Sequence, residues 1–169
     1  MATPAPLMQH TAAGDAAVLT HAPLDGGALL ADVREPAAGA TVLFVGTTRN
    51  EFDGKRVERL EYEAYEPLAL RTLLAVLRAA RERFAVSRLH IAHRLGSVGV
   101  TEASILVCAV APHRRAAFEA AEWMLEEVKR EAQIWKKECY ANADADAPEW
   151  KANRVDNERW HAAKEQQLS

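Results

Sequence analysis

The apolar positions of this chain follow two periods, and the switch between them marks out the elements. "AVLTHAPL" reads as a short strand ending at Pro23. Asp25 then stands before "GGALLADVRE", which predicts a short capped helix stopped by Pro36. "ATVLFVGTTR", residues 40–49, is a β-branched run of the kind found in a buried strand. Asp53-Gly54 signals a turn, after which "VERLEYEAY" alternates apolar and charged positions, predicting a half-exposed strand paired with its predecessor. Pro67 sits where a first helical turn tolerates proline, and Leu70, Leu73, Leu74, Leu77, Ala80 and Phe84 form a helical stripe. A second set follows: strands "RLHIAHRLG" and "SILVCAVAP" joined around "SVGVTEA", then a helix carrying Ala117, Ala121, Met124 and Val128 on one face. Strands and helices alternate without the regular rhythm of a doubly wound sheet, so the expected class is α+β.

Length and composition narrow this further. The 169 residues suit one domain, and a 49% hydrophobic, 27% charged composition is that of an ordinary globular protein. A net charge of −3 gives no polybasic signature for nucleic acid or acidic membranes. No apolar run reaches the length of a membrane span. Two cysteines, Cys108 and Cys139, form no framework and fit a reducing, cytoplasmic setting. Residues 1–15 are expected to be a flexible leader, residues 16–155 the folded domain and residues 156–169 a polar tail.

Candidate chemistry lies in three places. "FVGTTRN" leads from a strand through Gly46 to Arg49, a weak signal by itself. "APHRRAAF" puts His113, Arg114 and Arg115 at a helix start, where cations oppose the dipole unless an anion offsets them. "KREAQIWKKE" gathers Lys129, Arg130, Lys136 and Lys137 around Trp135 in a chain that is acidic overall. The stretch after the helix reads as extended, so adjacent Lys136 and Lys137 point to opposite sides. One of the two is expected inward beside Trp135, where aromatic surface strips water from a lysine and readies it for acid, base or nucleophilic work, and the other faces solvent. His90 and His93, three apart on a strand, face opposite ways and read as structural; no zinc-type spacing occurs, so no metal is expected. Cys108 reads as an inert buried thiol, and Cys139 has no histidine base to make it a nucleophile.

Taken in order, "FVGTTRN", "LEYEAYEPLA", "HRLGSVGV", "APHRRAAFEAAEWMLEEVK", "IWKKE" and "WKANR" resemble the large, catalytic subunits of molybdopterin synthase, the MoaE family, over residues 16 to 155. The resemblance implies an α/β-hammerhead fold with antiparallel strands and two main helices. It implies a sulfurtransferase that converts cyclic pyranopterin monophosphate to the dithiolene of molybdopterin, in molybdenum cofactor biosynthesis. The sulfur would come from the thiocarboxylated Gly-Gly terminus of a small ubiquitin-like subunit, in a heterotetramer built on a homodimer, with no cofactor of its own. By the same resemblance Lys129 and Lys136 are the catalytic lysines. Arg49, His113, Arg114 and Arg154 are the substrate-anion contacts, Arg154 reaching from the neighbouring protomer, and Lys137 faces the partner. Gln133 departs from the proline common at that point. Two other functions compete. A non-catalytic module for a ubiquitin-like tail would need a groove but not both lysines. An RNA-binding protein would need Arg71, Arg78, Arg81, Arg83 and Arg88 as an open basic face, which Glu82 interrupts.

Overall fold

The computed structural model of the chain describes residues 4–141 and 150–152. Two strands, β6 (Arg88–Arg94) and the almost wholly apolar β8 (Ala103–Ala111), are buried on both faces and pair antiparallel at the centre of a five-stranded sheet. The outer strands are β2 (Ala16–Thr20), parallel to β6, then β1 (Leu7–His10) on that side, and β3 (Ala40–Thr47) at the other edge along β8.

Alternation along β8 divides the core. Ile105, Val107 and Ala109 pack with the helices α2 (Glu66–Arg83) and α3 (Arg114–Glu131) on one face. Leu106, Cys108 and Val110 pack on the other with Leu29 and Val33 of the short helix α1 (Gly26–Asp32) and its cap. Asp25 caps α1 as expected, its carboxylate accepting from the backbone N–H of Gly27 at 2.8 Å and Ala28 at 3.0 Å. Pro67 occupies the first turn of α2. Burial pushes the Cys108 thiol up to about 11, which makes it the inert core cysteine anticipated.

A second, antiparallel sheet runs β10 (Trp150–Ala152), β9 (Ile134–Tyr140), β5 (Lys55–Ala64) and β4 (Glu51–Phe52), with β7 (Gly96–Gly99) also paired to β5. Among the described residues, two sheets and three helices make the α+β class with antiparallel strands and two long helices.

Three expectations change. β5 does not pair with β3; the Asp53-Gly54 turn joins it to the two-residue β4, and its long partner is β9. β3 is a half-exposed edge strand, not a buried one, with Phe44 and Val45 open to solvent. The leader is not wholly flexible: Leu7–His10 forms β1 on β2, and Asp15 behind it is fully buried. The reason is Asp15 itself, which accepts from Arg81 of α2, the Leu89 N–H and Thr11. Residues 142–149, the Arg154 assignment and the 156–169 tail lie outside the described residues.

Three of the five arginines that an RNA-binding face would use are engaged elsewhere. Arg81 is committed to Asp15 at 2.5 Å, Arg88 donates to the Asp32 carbonyl, and Arg83 lies over the Phe84 and Trp123 rings.

Candidate active site

The β5–β9 register brings Leu60 opposite Glu138 and Tyr62 opposite Lys136. All four side chains line one cleft. Its facing wall comes from Phe44 and Gly46 of β3 and Ser104 and Ile105 of β8, and its end from Leu125, Val128 and Lys129 of α3. These α3 positions are spaced three and four apart, so one face of the helix carries both the core contact and the lysine. The loop after β3 adds Arg49, and β4 adds Glu51 and Phe52.

Each lysine has a carboxylate behind it. Lys129 Nζ is 3.4 Å from Glu126 Oε1, and Lys136 Nζ is 3.7 Å from Glu138 Oε1. Glu138 is buried and its Oε2 accepts from the Tyr140 hydroxyl at 2.6 Å. Glu126 keeps its second oxygen buried with no hydrogen-bond partner among the described residues. Such pairs fix the ammonium positions while leaving their remaining protons for the cleft. Arg49 brings a guanidinium that has no hydrogen bond or ion pair among the described residues, only the Phe52 ring at 6.0 Å.

Lys136 does not sit beside Trp135. Adjacent strand residues face opposite ways, so Lys136 shares its face with Ile134 and Glu138, while Trp135 is 40% exposed on the reverse side with Lys137. The aromatic surface at Lys136 is Phe52, whose ring centroid is 5.8 Å from Nζ.

His93, read from sequence as structural, forms part of the cleft wall. Its Nδ1 donates to the Arg94 carbonyl at 2.8 Å, which leaves Nε2 as the acceptor nitrogen. Its ring meets Tyr62 edge-on at 5.0 Å. Burial holds the imidazole at about 4, so it is neutral at physiological pH. Burial also raises the Tyr62 phenol, against a hydrogen bond with Ser104 that lowers it. Tyr62, Ser104 and His93 therefore form an uncharged stretch of the lining, beside the buried Glu138 carboxylate and the cations. The available signal for His93 was its exact offset from His90, which sends the two rings to different sides of β6.

His90 too is held at about 4 by burial. An unfolded imidazole takes up its proton near 6.5, so between pH 6.5 and about 4 the unfolded chain binds more protons than the folded one. Stability present above pH 6.5 is lost as pH falls through that window, by roughly 1 kcal/mol per pH unit for each histidine. Thermal melts across the window should show this slope, and His90→Gln should reduce it by about half. An unchanged slope would assign the loss to other groups.

His113 caps α3 and Arg114 is its first residue. Lys129 lies fifteen residues along the helix, about 22 Å away at 1.5 Å per residue. Neither His113 nor Arg114 lines the cleft. One chain thus brings together Arg49, Lys129 and Lys136, and leaves His113 and Arg114 at the far end of α3. Cys139 is buried on β9.

Residues 19–131 match the family described as MoaE protein. The molybdopterin synthase catalytic subunit of Coccidioides immitis is 50% identical over 136 residues, covering 80% of this chain and 69% of that protein. That of Pyricularia oryzae is 44% identical, covering 80% and 73%. Among solved structures, molybdopterin synthase from Staphylococcus aureus superposes with a TM-score of 0.73 at 29% identity, over 79% of this chain and 94% of that one. A complex of subunits 1 and 2 of the molybdopterin-converting factor from Helicobacter pylori matches with a TM-score of 0.61 at 30% identity, covering 73% and 84%.

Proposed function

The chain belongs to the MoaE family, as the catalytic subunit of a molybdopterin synthase, and from this premise we propose how its cleft serves the sulfur-transfer step. The substrate is cyclic pyranopterin monophosphate, and the sulfur donor is the thiocarboxylated tail of a small ubiquitin-like subunit. The two-subunit complex of the Helicobacter pylori relative supports such a partner. The observation that carries the reading is the convergence of Arg49, Lys129 and Lys136 from three separate segments on one cleft.

Arg49 supplies a planar pair of donors for the phosphate. Lys129 and Lys136 place positive charge and exchangeable protons where negative charge develops on sulfur and oxygen during transfer. The neutral stretch of Tyr62, Ser104 and His93 offers hydrogen bonds to an uncharged heterocycle without repelling or neutralising it. Lys137, on the reverse face of β9 from Lys136, takes the partner side of the strand.

His113 and Arg114 reach a substrate anion only in the cleft of a second copy, which suits a homodimer at the centre of a heterotetramer. Arg154 is assigned to the same role. If so, Lys136→Ala and Arg114→Ala, each poorly active alone, should complement when mixed and re-equilibrated, restoring about a quarter of wild-type activity through mixed dimers with one intact site. No recovery in a mixture proven to exchange subunits would return both residues to some other role.

The function itself is tested by combining the purified protein with a thiocarboxylated small subunit and the cyclic pterin. Molybdopterin should form, and none should form when the small subunit lacks its sulfur. Product without a charged partner would sink the reading.

A further inference from the structure

We propose that Phe52 is a positioning residue of the site: its ring is a shared platform that gathers Arg49 and Lys136 at the cleft mouth. The inference rests on the function proposed above for these two cations. Arg49 Cζ lies 6.0 Å and Lys136 Nζ 5.8 Å from the same ring centroid. Two like charges repel, and an aromatic face attracts both through its quadrupole without adding a carboxylate to the one that already pairs Lys136, so the Arg49 charge in particular stays available for a third, anionic group.

The local chain explains how one phenyl ring reaches both. Asp53 and Gly54 adopt φ of 50° and 73°, the left-handed pair that closes a tight hairpin between β4 and β5. Phe52 immediately precedes that turn and is directed into the cleft. A second contact on the same hairpin, Lys55 Nζ 5.6 Å from the Tyr140 ring, ties its other strand to β9. The hairpin is thereby registered on the strand that carries Lys136, and Arg49 is only three residues before Phe52. Lys136 Nζ thus has both a carboxylate, Glu138 at 3.7 Å, and the Phe52 ring as neighbours.

Phe52→Leu keeps the bulk and removes the π face, while Phe52→Tyr keeps the face. Two readouts separate geometry from function. The first is the NMR signal of the Lys136 side chain after reductive ¹³C-methylation, assigned with Lys136→Arg. A ring-current shift should be present in the wild type and in Phe52→Tyr and absent in Phe52→Leu, whatever reaction the protein catalyses. The second is turnover of the cyclic pterin with a saturating sulfur-charged small subunit. There kcat should fall roughly tenfold in Phe52→Leu, by the contribution of one to two cation–π contacts, and stay within about twofold of wild type in Phe52→Tyr. Both variants should melt with the wild type. Equal kcat for Leu and Tyr, or a Lys136 signal indifferent to the ring, overturns the platform. An inactive wild type with the ring-dependent signal intact would overturn the functional reading and leave the platform standing.

Discussion

Lys136→Ala should lower turnover of the cyclic pterin by about a hundredfold, or roughly 3 kcal/mol of transition-state stabilisation, while Lys137→Ala costs less than about tenfold. The two residues are neighbours in sequence, and the difference comes from strand geometry alone. Lys136 points into the cleft with Phe52 and Glu138 as neighbours, whereas Lys137 lies on the opposite face of β9. Lys129→Ala should resemble Lys136→Ala, because α3 delivers it to the same cleft. Folding should survive each change. Lys129 and Lys136 side chains are 38% and 27% exposed, so little core is lost. Lys136→Ala does leave the buried Glu138 without its ammonium, and a fall in Tm of a few degrees is expected there. Turnover is measured with saturating sulfur-charged small subunit, beside a thermal melt of each variant. A dead Lys137→Ala with an active Lys136→Ala would reverse the facing of the strand, and three active variants would reduce the cluster to a solvated basic patch.

What could be read from the sequence follows how local each determinant is. Both long helices were legible, because their apolar stripes, and for α2 the proline of its first turn, are local in sequence. The α1 cap was legible for the same reason. The partner of β5 was not, since Val57–Ala64 and Ile134–Tyr140 are some seventy residues apart and nothing local ties them. β7 escaped because its four residues, Gly-Ser-Val-Gly, carry neither alternation nor β-branched content beyond Val98. The site shows the same division. Lys129, Lys136 and Arg49 stood out as cations in ordered motifs. Phe52 did not, because its role depends on the hairpin folding against β9. Elementary geometry carries two more relations: the period of a strand separates Trp135 from Lys136, and the length of α3 sets Arg114 far from the Lys129 of its own chain.

Asp15→Ala should be the most damaging substitution away from the cleft, with a loss of about 3 kcal/mol in unfolding free energy and a fall in Tm of about 10 °C. Asp15 is completely buried, and each of its oxygens is used. Oδ1 accepts from Arg81 Nη2 at 2.5 Å and from the Leu89 N–H at 2.9 Å; Oδ2 accepts from Arg81 Nε at 2.7 Å and the Thr11 hydroxyl at 3.1 Å. One carboxylate therefore joins β1–β2, the last turns of α2 and the start of β6. Removing it strands the Leu89 amide and a guanidinium whose side chain is only 29% exposed, and an unpaired buried group costs more than the pair contributed. The remaining exposure of Arg81 sets the loss at the lower end of the range for broken buried pairs, since water can reach part of the guanidinium. Arg81 also donates to the Val86 and Ser87 carbonyls, so it will not swing free when Asp15 is gone. Asp15→Asn should be milder, because the amide oxygen keeps one acceptor. The double variant Asp15→Ala with Arg81→Met should recover part of the loss by removing the stranded charge. Denaturant unfolding of the four proteins checks this directly: a single Asp15→Ala variant within about 1 kcal/mol of wild type would mean that the carboxylate is not the tie between the amino-terminal strands and α2.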